Sequence, residues 1–178
     1  MTIYLEPISL KEKELLQIAE ERNQTLASLR NSEPTPINID HQKKWLASMS
    51  ESDRYYFIYD TNYGSGFKEE FLGYCGLDKI SLVNRTAEIS LLICENYQKL
   101  GYGKKAIKLL LEKGFHDFHL NCIYGECYYS TENWKFWLNC GFVQDGVLQE
   151  RKFWKNKFYH AMSFSMTRDI WFKQSMKG

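Results

Sequence analysis

Proline is scarce in this chain: 3 of 178 residues, with Pro34 and Pro36 together in one short stretch. Elsewhere little interrupts long regular elements. There is no apolar run long enough to cross a bilayer, so no membrane span is expected. The opening residues, Met1 to Glu6, lack a basic region followed by an apolar stretch, so no secretory leader is expected. No single charge dominates: the net charge is +1, with acids and bases interspersed. That argues against a general nucleic-acid or membrane-surface binder. The 5 cysteines, at positions 75, 94, 122, 127 and 140, contain no C-x-x-C pair. An odd count without that spacing argues against a zinc site or a disulfide framework and fits reduced thiols in a cytoplasmic protein; no metal is expected. Repeats, low-complexity tracts and linkers are missing, so residues 1–178 read as a single domain with a substantial core.

Aromatic residues are plentiful, at 16%. Most belong in a core, and others are available to line a pocket. The pattern predicts a first strand over Ile3 to Pro7, then a helix capped by Ser9 with Glu12 completing a capping box. Asn31 to Ile39 reads as an irregular loop, and Asp40 as the cap of a second helix through Trp45, Leu46 and Met49. Arg54 to Asp60, Phe71 to Lys79 and Ala87 to Ile93 read as an antiparallel meander, with turns at Asn62 to Gly66 and near Asn84. From Gly103 the apolar stripe Ile107, Leu110, Leu111, Phe115 and Phe118 is helical. Cys122 to Tyr128 is a strand, expected to run parallel to the one ending at Ile93. A short helix from Thr131 to Cys140 stops at Gly141. Phe142 to Phe153 reads as strand plus loop. Phe158 to Met166 alternates, which puts His160 on its apolar face. The last dozen residues read as a tail or frayed helix. The order is β-α-α-β-β-β-α-β-α-β-β, an α+β (mixed α/β) arrangement with a central mixed sheet of about six or seven strands and helices on both faces.

The most informative stretch is Gln98-Lys99-Leu100-Gly101-Tyr102-Gly103-Lys104. A strand, a glycine-bearing turn and a helix start make an anion site, because the first helical N–H groups have no internal acceptors and the helix dipole adds positive potential. Glycines at 101 and 103 let main chain approach a ligand closely. A second segment supports the first: Ser130-Thr131-Glu132-Asn133-Trp134-Lys135-Phe136-Trp137-Leu138-Asn139-Cys140-Gly141-Phe142. Together these resemble the GNAT superfamily of acyl-CoA-dependent N-acetyltransferases. The first matches its [Arg/Gln]-x-x-Gly-x-[Gly/Ala] coenzyme A loop, and the second resembles its terminal Asn-x-x-Ala-x-x-x-Tyr-x-x-x-Gly-Phe helix. The core of the resemblance runs from about Ala87 to Phe142. Its flavour is that of the ribosomal-protein, spermidine and amino-sugar acetyltransferases.

The resemblance implies acetyl-CoA as cofactor, seated in a wedge between two splayed strands. The backbone of Leu92, Ile93 and Cys94 would meet the pantetheine arm, and Gln98 to Lys104 would hold the pyrophosphate. Ser130 stands where the family prefers asparagine, with Asn133 one turn on. An acceptor amine of ordinary pKa, about 10.4, must lose a proton before it attacks. Glu88 and Glu126 are the candidate bases, each equally at home as an ion-paired strand residue. Trp137 occupies the family's tyrosine position. Indole is a poor acid, so Tyr128, Tyr129 or Tyr102 would have to protonate the thiolate, or a hydrogen bond from Trp137 or water would suffice. Arg22, Asn23 and Trp45 are the candidate acceptor-binding residues, in a region that resembles amino-sugar acetylating enzymes. No acidic cluster of the sort a polyamine would want stands out. The expected partner is a small-molecule amine such as an amino sugar, the expected assembly a monomer or homodimer. The alternatives are a protein N-terminus or lysine as acceptor, and a non-catalytic CoA-binding sensor.

Overall fold

A computed structural model describes residues 2–24, 36–61, 69–131, 133–154 and 156–176. Seven strands among these residues form one sheet: β1 (Ile3–Pro7), β2 (Arg54–Asp60), β3 (Glu70–Ser81), β4 (Thr86–Ile93), β5 (Cys122–Tyr128), β6 (Val143–Trp154) and β7 (Lys157–Thr167). Its order is β1-β2-β3-β4-β5-β7-β6. All neighbours are antiparallel except β4 and β5, which run parallel over Thr86↔Cys122, Ala87↔Ile123 and Glu88↔Tyr124 and then part. The helices are α1 (Glu12–Gln24), α2 (Ile39–Ala47), α3 (Tyr102–Glu112), α4 (Asn133–Asn139) and α5 (Arg168–Ser175).

Alternation along the strands sends side chains to two helix-covered faces. On one face Leu77 and Ile123 pack beneath Gly114, in the π-helical turn Lys113–Asp117 that prolongs α3. On the other, Trp45 of α2 meets Tyr55 at 5.0 Å and Tyr74 at 5.8 Å. Phe57, Phe115, Phe164, Leu77, Ile89 and Leu110 are among the fully buried side chains that hold the sheet to its helices. Burying each such side chain contributes roughly 1.5–3 kcal/mol.

Local signals were often displaced by tertiary ones. α1 does not start from Ser9: Leu15 N–H bonds to the Lys11 carbonyl at 3.0 Å, so the helix is entered from Lys11. The Lys11 ammonium is tied to Glu6 at 2.7 Å and to the Tyr59 hydroxyl at 3.2 Å, which fixes the chain at that point. Asn38, not Asp40, caps α2. Its Oδ1 accepts from His41 N–H at 3.0 Å while His41 Nδ1 accepts from Asn38 N–H at 3.2 Å. α4 starts at Asn133, after a 3-10 turn over Tyr129–Thr131. It ends in a Schellman turn, with Gly141 N–H on Leu138 and Phe142 N–H on Trp137. Gly141 has φ +94°, the left-handed conformation that position needs. The segment after it is one long bulged strand rather than strand plus loop. His160 is exposed, its Nδ1 accepting from Glu150 N–H at 3.0 Å, because β7 runs beyond the core there. The last element is a capped helix, anchored by buried Trp171 stacked on Phe115 at 6.0 Å. The turn expected at Asn62 to Gly66 and most of the loop from Asn31 to Ile39 lie outside the described residues.

Candidate active site

Where β4 and β5 part, they open a cavity of about 1310 Å³. One wall is the outer half of β4, Ser90 to Ile93; the other is Glu126, Cys127 and Tyr128 of β5. Asn133, Phe136 and Trp137 of α4 close one side, and Gln98, Lys99, Gly101, Gly103 and Lys104 supply the glycine loop.

The loop is shaped by its glycine. Gly101 has φ +86° and stands as the residue before α3, with Lys105 N–H on its carbonyl at 3.3 Å. A Cβ built on Gly101 would meet nothing within 4 Å, so the space beside it is open. The first N–H groups of α3 therefore border open space beside two lysines, a fit for the diphosphate of coenzyme A. Tyr102 and Tyr97 hold the loop from behind. The Tyr102 hydroxyl donates to buried Asp60 at 2.7 Å, and the Tyr97 hydroxyl donates to Glu70. Gln98 Nε2 donates to the Ile93 carbonyl at 2.9 Å, which ties the loop to the end of β4.

Of the cofactor residues expected from sequence, Leu92, Ile93, Gln98, Lys99, Gly101, Gly103, Lys104 and Asn133 line the cavity. Cys94, Leu100, Tyr102 and Ser130 do not. Cys94 is buried with its N–H on Leu72, and burial pushes its thiol up to about 12. Leu100 is half exposed, Ser130 lies exposed on the 3-10 turn, and the Tyr102 side chain is spent on Asp60, which leaves its main-chain N–H, the first of α3, as its one group for the loop. Tyr102 and Tyr129 are thus placed poorly for protonating a thiolate; Tyr129 stacks on Trp134 instead. Tyr128 lines the cavity, and burial raises its phenol above the usual range.

The two candidate bases separate. Glu126 faces the cavity, with Lys152 at 3.3 Å. Glu88 does not: it is buried one step deeper in β4, paired with Lys79 Nζ at 2.7 Å. Trp137 reaches the cavity but lies stacked on Phe164 at 4.6 Å and edge-on to Phe142 at 5.4 Å. Arg22 and Trp45 line the cavity, whereas Asn23 clamps Ile37 through its amide, donating at 2.7 Å and accepting at 2.8 Å.

Sequence reasoning named Glu126 but missed three other carboxylates. Glu21, Asp53 and Asp78 line the cavity with it, from four separate stretches of chain in all. Glu21 accepts the Glu95 N–H, yet burial raises its carboxyl above the usual range. Tyr55, Tyr74 and Ser90 were missed as well. The strand alternation that places them was visible, but not the pocket they face.

The Acetyltransferase (GNAT) domain family matches residues 2–137. No protein of curated function matches the sequence. Among solved structures, spermidine N-acetyltransferase from Vibrio cholerae in complex with CoA and spermine superposes with a TM-score of 0.80 at 19% identity, covering 96% of this chain and 98% of that one. A single-site variant of SpeG from the same organism gives 0.81 at 19% identity, over 97% and 98% of the two chains. A chimera of that enzyme with hSSAT gives 0.80 at 18%, over 97% and 99%. A family match across most of the sequence, on a seven-stranded sheet that opens between β4 and β5 beside a Gln-x-x-Gly-x-Gly loop, places this chain in the GNAT family of acetyl-CoA-dependent N-acetyltransferases.

Proposed function

We propose that the chain acetylates a primary amine of a small cationic metabolite by direct transfer in a ternary complex. Acetyl-CoA supplies the activated acyl thioester. The chain supplies a proton acceptor, a proton donor and two binding surfaces. Glu126, on the cavity wall, takes the proton that leaves the acceptor's ammonium, directly or through one water. The acceptor nitrogen then forms its bond to the acetyl carbon as the carbon–sulfur bond breaks. Tyr128, kept protonated by burial, gives its proton to the departing thiolate. Leu92 and Ile93 offer main-chain groups along the arm of the donor, and the start of α3 takes its diphosphate.

The observation that carries this reading is the gathering of four carboxylates, Glu21, Asp53, Asp78 and Glu126, around one cavity. Of the four cations in the same lining, Lys99 and Lys104 belong to the glycine loop, Lys79 is paired with Glu88, and Arg22 follows Glu21 on α1. Such a lining favours an acceptor with more than one amine over an amino sugar with a single positive charge. The superposition on an enzyme solved with CoA and spermine supports the same choice. Release of free thiol from acetyl-CoA tests it, with spermidine, putrescine, glucosamine and a peptide bearing a free N-terminus as acceptors. The linear amines should be fastest. Thiol release with glucosamine or peptide alone would reassign the acceptor; CoA binding with no release for any amine would make the chain a sensor.

A further inference from the structure

Asp78 stands in the cavity wall, and the chemistry above makes no specific use of it. Along β3 and β4, Tyr74 pairs with Leu92, Gly76 with Ser90 and Asp78 with Glu88. Tyr74, Asp78 and Ser90 therefore share one face. On that face Ser90 Oγ donates to Asp78 Oδ2 at 3.2 Å, and the Tyr55 hydroxyl, arriving from β2, donates to the same oxygen. The carboxylate is thus oriented before any guest arrives.

Three mutually packed rings line the same cavity, and Tyr55 among them reaches the carboxylate. Trp45 meets Tyr55 at 5.0 Å and Tyr74 at 5.8 Å, and Tyr55 lies 6.1 Å from Tyr74. Gly76 makes this possible: a Cβ there would fall 2.2 Å from the Tyr55 ring. The ring occupies the space any other residue at 76 would need. The neighbouring cation does not cancel the site, because the Lys79 ammonium turns to Glu88 at 2.7 Å.

A fixed carboxylate among aromatic rings selects for an alkylammonium. The charge is drawn to the carboxylate and to the ring faces, and the adjoining methylenes lie against the rings. A neutral or anionic group gains neither attraction. Glu126, on β5, stands two strands away from Asp78 on β3. Two strand spacings set a lower bound of roughly 10 Å, because β5 has already left β4 two residues before Glu126; a diamine of about four carbons or a longer polyamine spans a gap of that order between two carboxylates.

We propose that Asp78, framed by Trp45, Tyr55 and Tyr74, binds the non-reacting ammonium of a di- or polyamine acceptor whose other nitrogen is presented at Glu126. This rests on the transfer reading above but is tested apart from it. CoA-loaded protein is titrated calorimetrically with putrescine and with n-butylamine, which differ by one terminal ammonium. Wild type should bind putrescine at least tenfold more tightly. Asp78→Asn should bring that ratio close to one, with CoA affinity and melting temperature unchanged. Tyr55→Phe, which loosens the carboxylate without removing it, should lower the ratio part-way, and it decides the matter if the Asn variant fails to fold. Equal affinity for the two amines in wild type overturns the proposal, as does an undiminished ratio in the folded Asn variant, or in Tyr55→Phe if it stands alone. Thiol release from acetyl-CoA separates the two readings. Release without an Asp78-dependent ratio sinks this inference alone; an Asp78-dependent ratio without release sinks transfer alone.

Discussion

The two ends of the wedge are built from different material. At the end proposed for the cofactor the working groups belong to the main chain: the outer part of β4, the left-handed turn at Gly101 and the first N–H groups of α3. At the end proposed for the acceptor they belong to side chains, carboxylates set among aromatic rings. Main-chain chemistry needs only a few glycines at the right spacing, all within one short segment. Side-chain chemistry draws on residues brought together by the sheet, such as Tyr55 and Asp78, 23 positions apart. One end is local and tolerant of sequence around the glycines; the other is assembled, and each contributor can be exchanged separately to change the guest.

The contrast can be broken first at Gly101. An aspartate there would set a like charge beside the diphosphate. At about 4 Å and an effective dielectric of about 20 that repulsion is about 4 kcal/mol, or roughly 1,000-fold in affinity. Gly101→Ala meets open space and carries only the strain of a left-handed backbone, about 1–2 kcal/mol. Calorimetric titration with CoA measures both; equal losses would show that the loop does not hold the diphosphate. Next is Trp137, which stands between the two ends. Its stacking on Phe164 predicts that Trp137→Ala costs about 3 kcal/mol of stability in urea unfolding, whereas Trp137→Phe should cost about half that or less. A negligible loss in the Ala variant would mean that the indole serves the reaction rather than the core. Glu126→Gln should lower kcat by roughly 100-fold while leaving CoA affinity alone, and an unchanged kcat would remove Glu126 as base.

The smallest effect belongs to Tyr128. Its raised phenol pKa means that the proton-donating form persists through neutral pH and past the ordinary value of 10.0. The rate should therefore fall only on the alkaline side of that value, as the phenol ionises. Tyr128→Phe should be roughly tenfold slower and lack that alkaline limb. A limb that survives in the Phe variant belongs to another group.

How much of this was legible follows the same division. The meander, the parallel return at β5 and the glycine loop could all be read from local pattern, because strand alternation and turn chemistry act within a few residues. Helix starts were less legible. Ser9 and Asp40 are good caps by type, but Lys11 is pinned by Glu6 and Tyr59, and Asn38 forms its box with His41. His160 followed the period of its strand onto the apolar face, yet β7 extends past the core it would have joined. Glu88 and Glu126 looked alike in sequence. Only the depth at which β4 and β5 part distinguishes a buried ion pair from a residue on the cavity wall. The acidic lining was invisible because its members are scattered through the chain, and Asp78 gave no sign until Tyr55 and Ser90 were seen to reach it.

The two phenols behind the glycine loop bear on how coenzyme A is captured. With Tyr102 on Asp60 and Tyr97 on Glu70, the receiving segment is already in shape before the nucleotide comes, so docking asks for little chain ordering. The heat-capacity change of capture should then match the apolar area covered and nothing more, the signature of a rigid receptor rather than of a segment that folds around its guest.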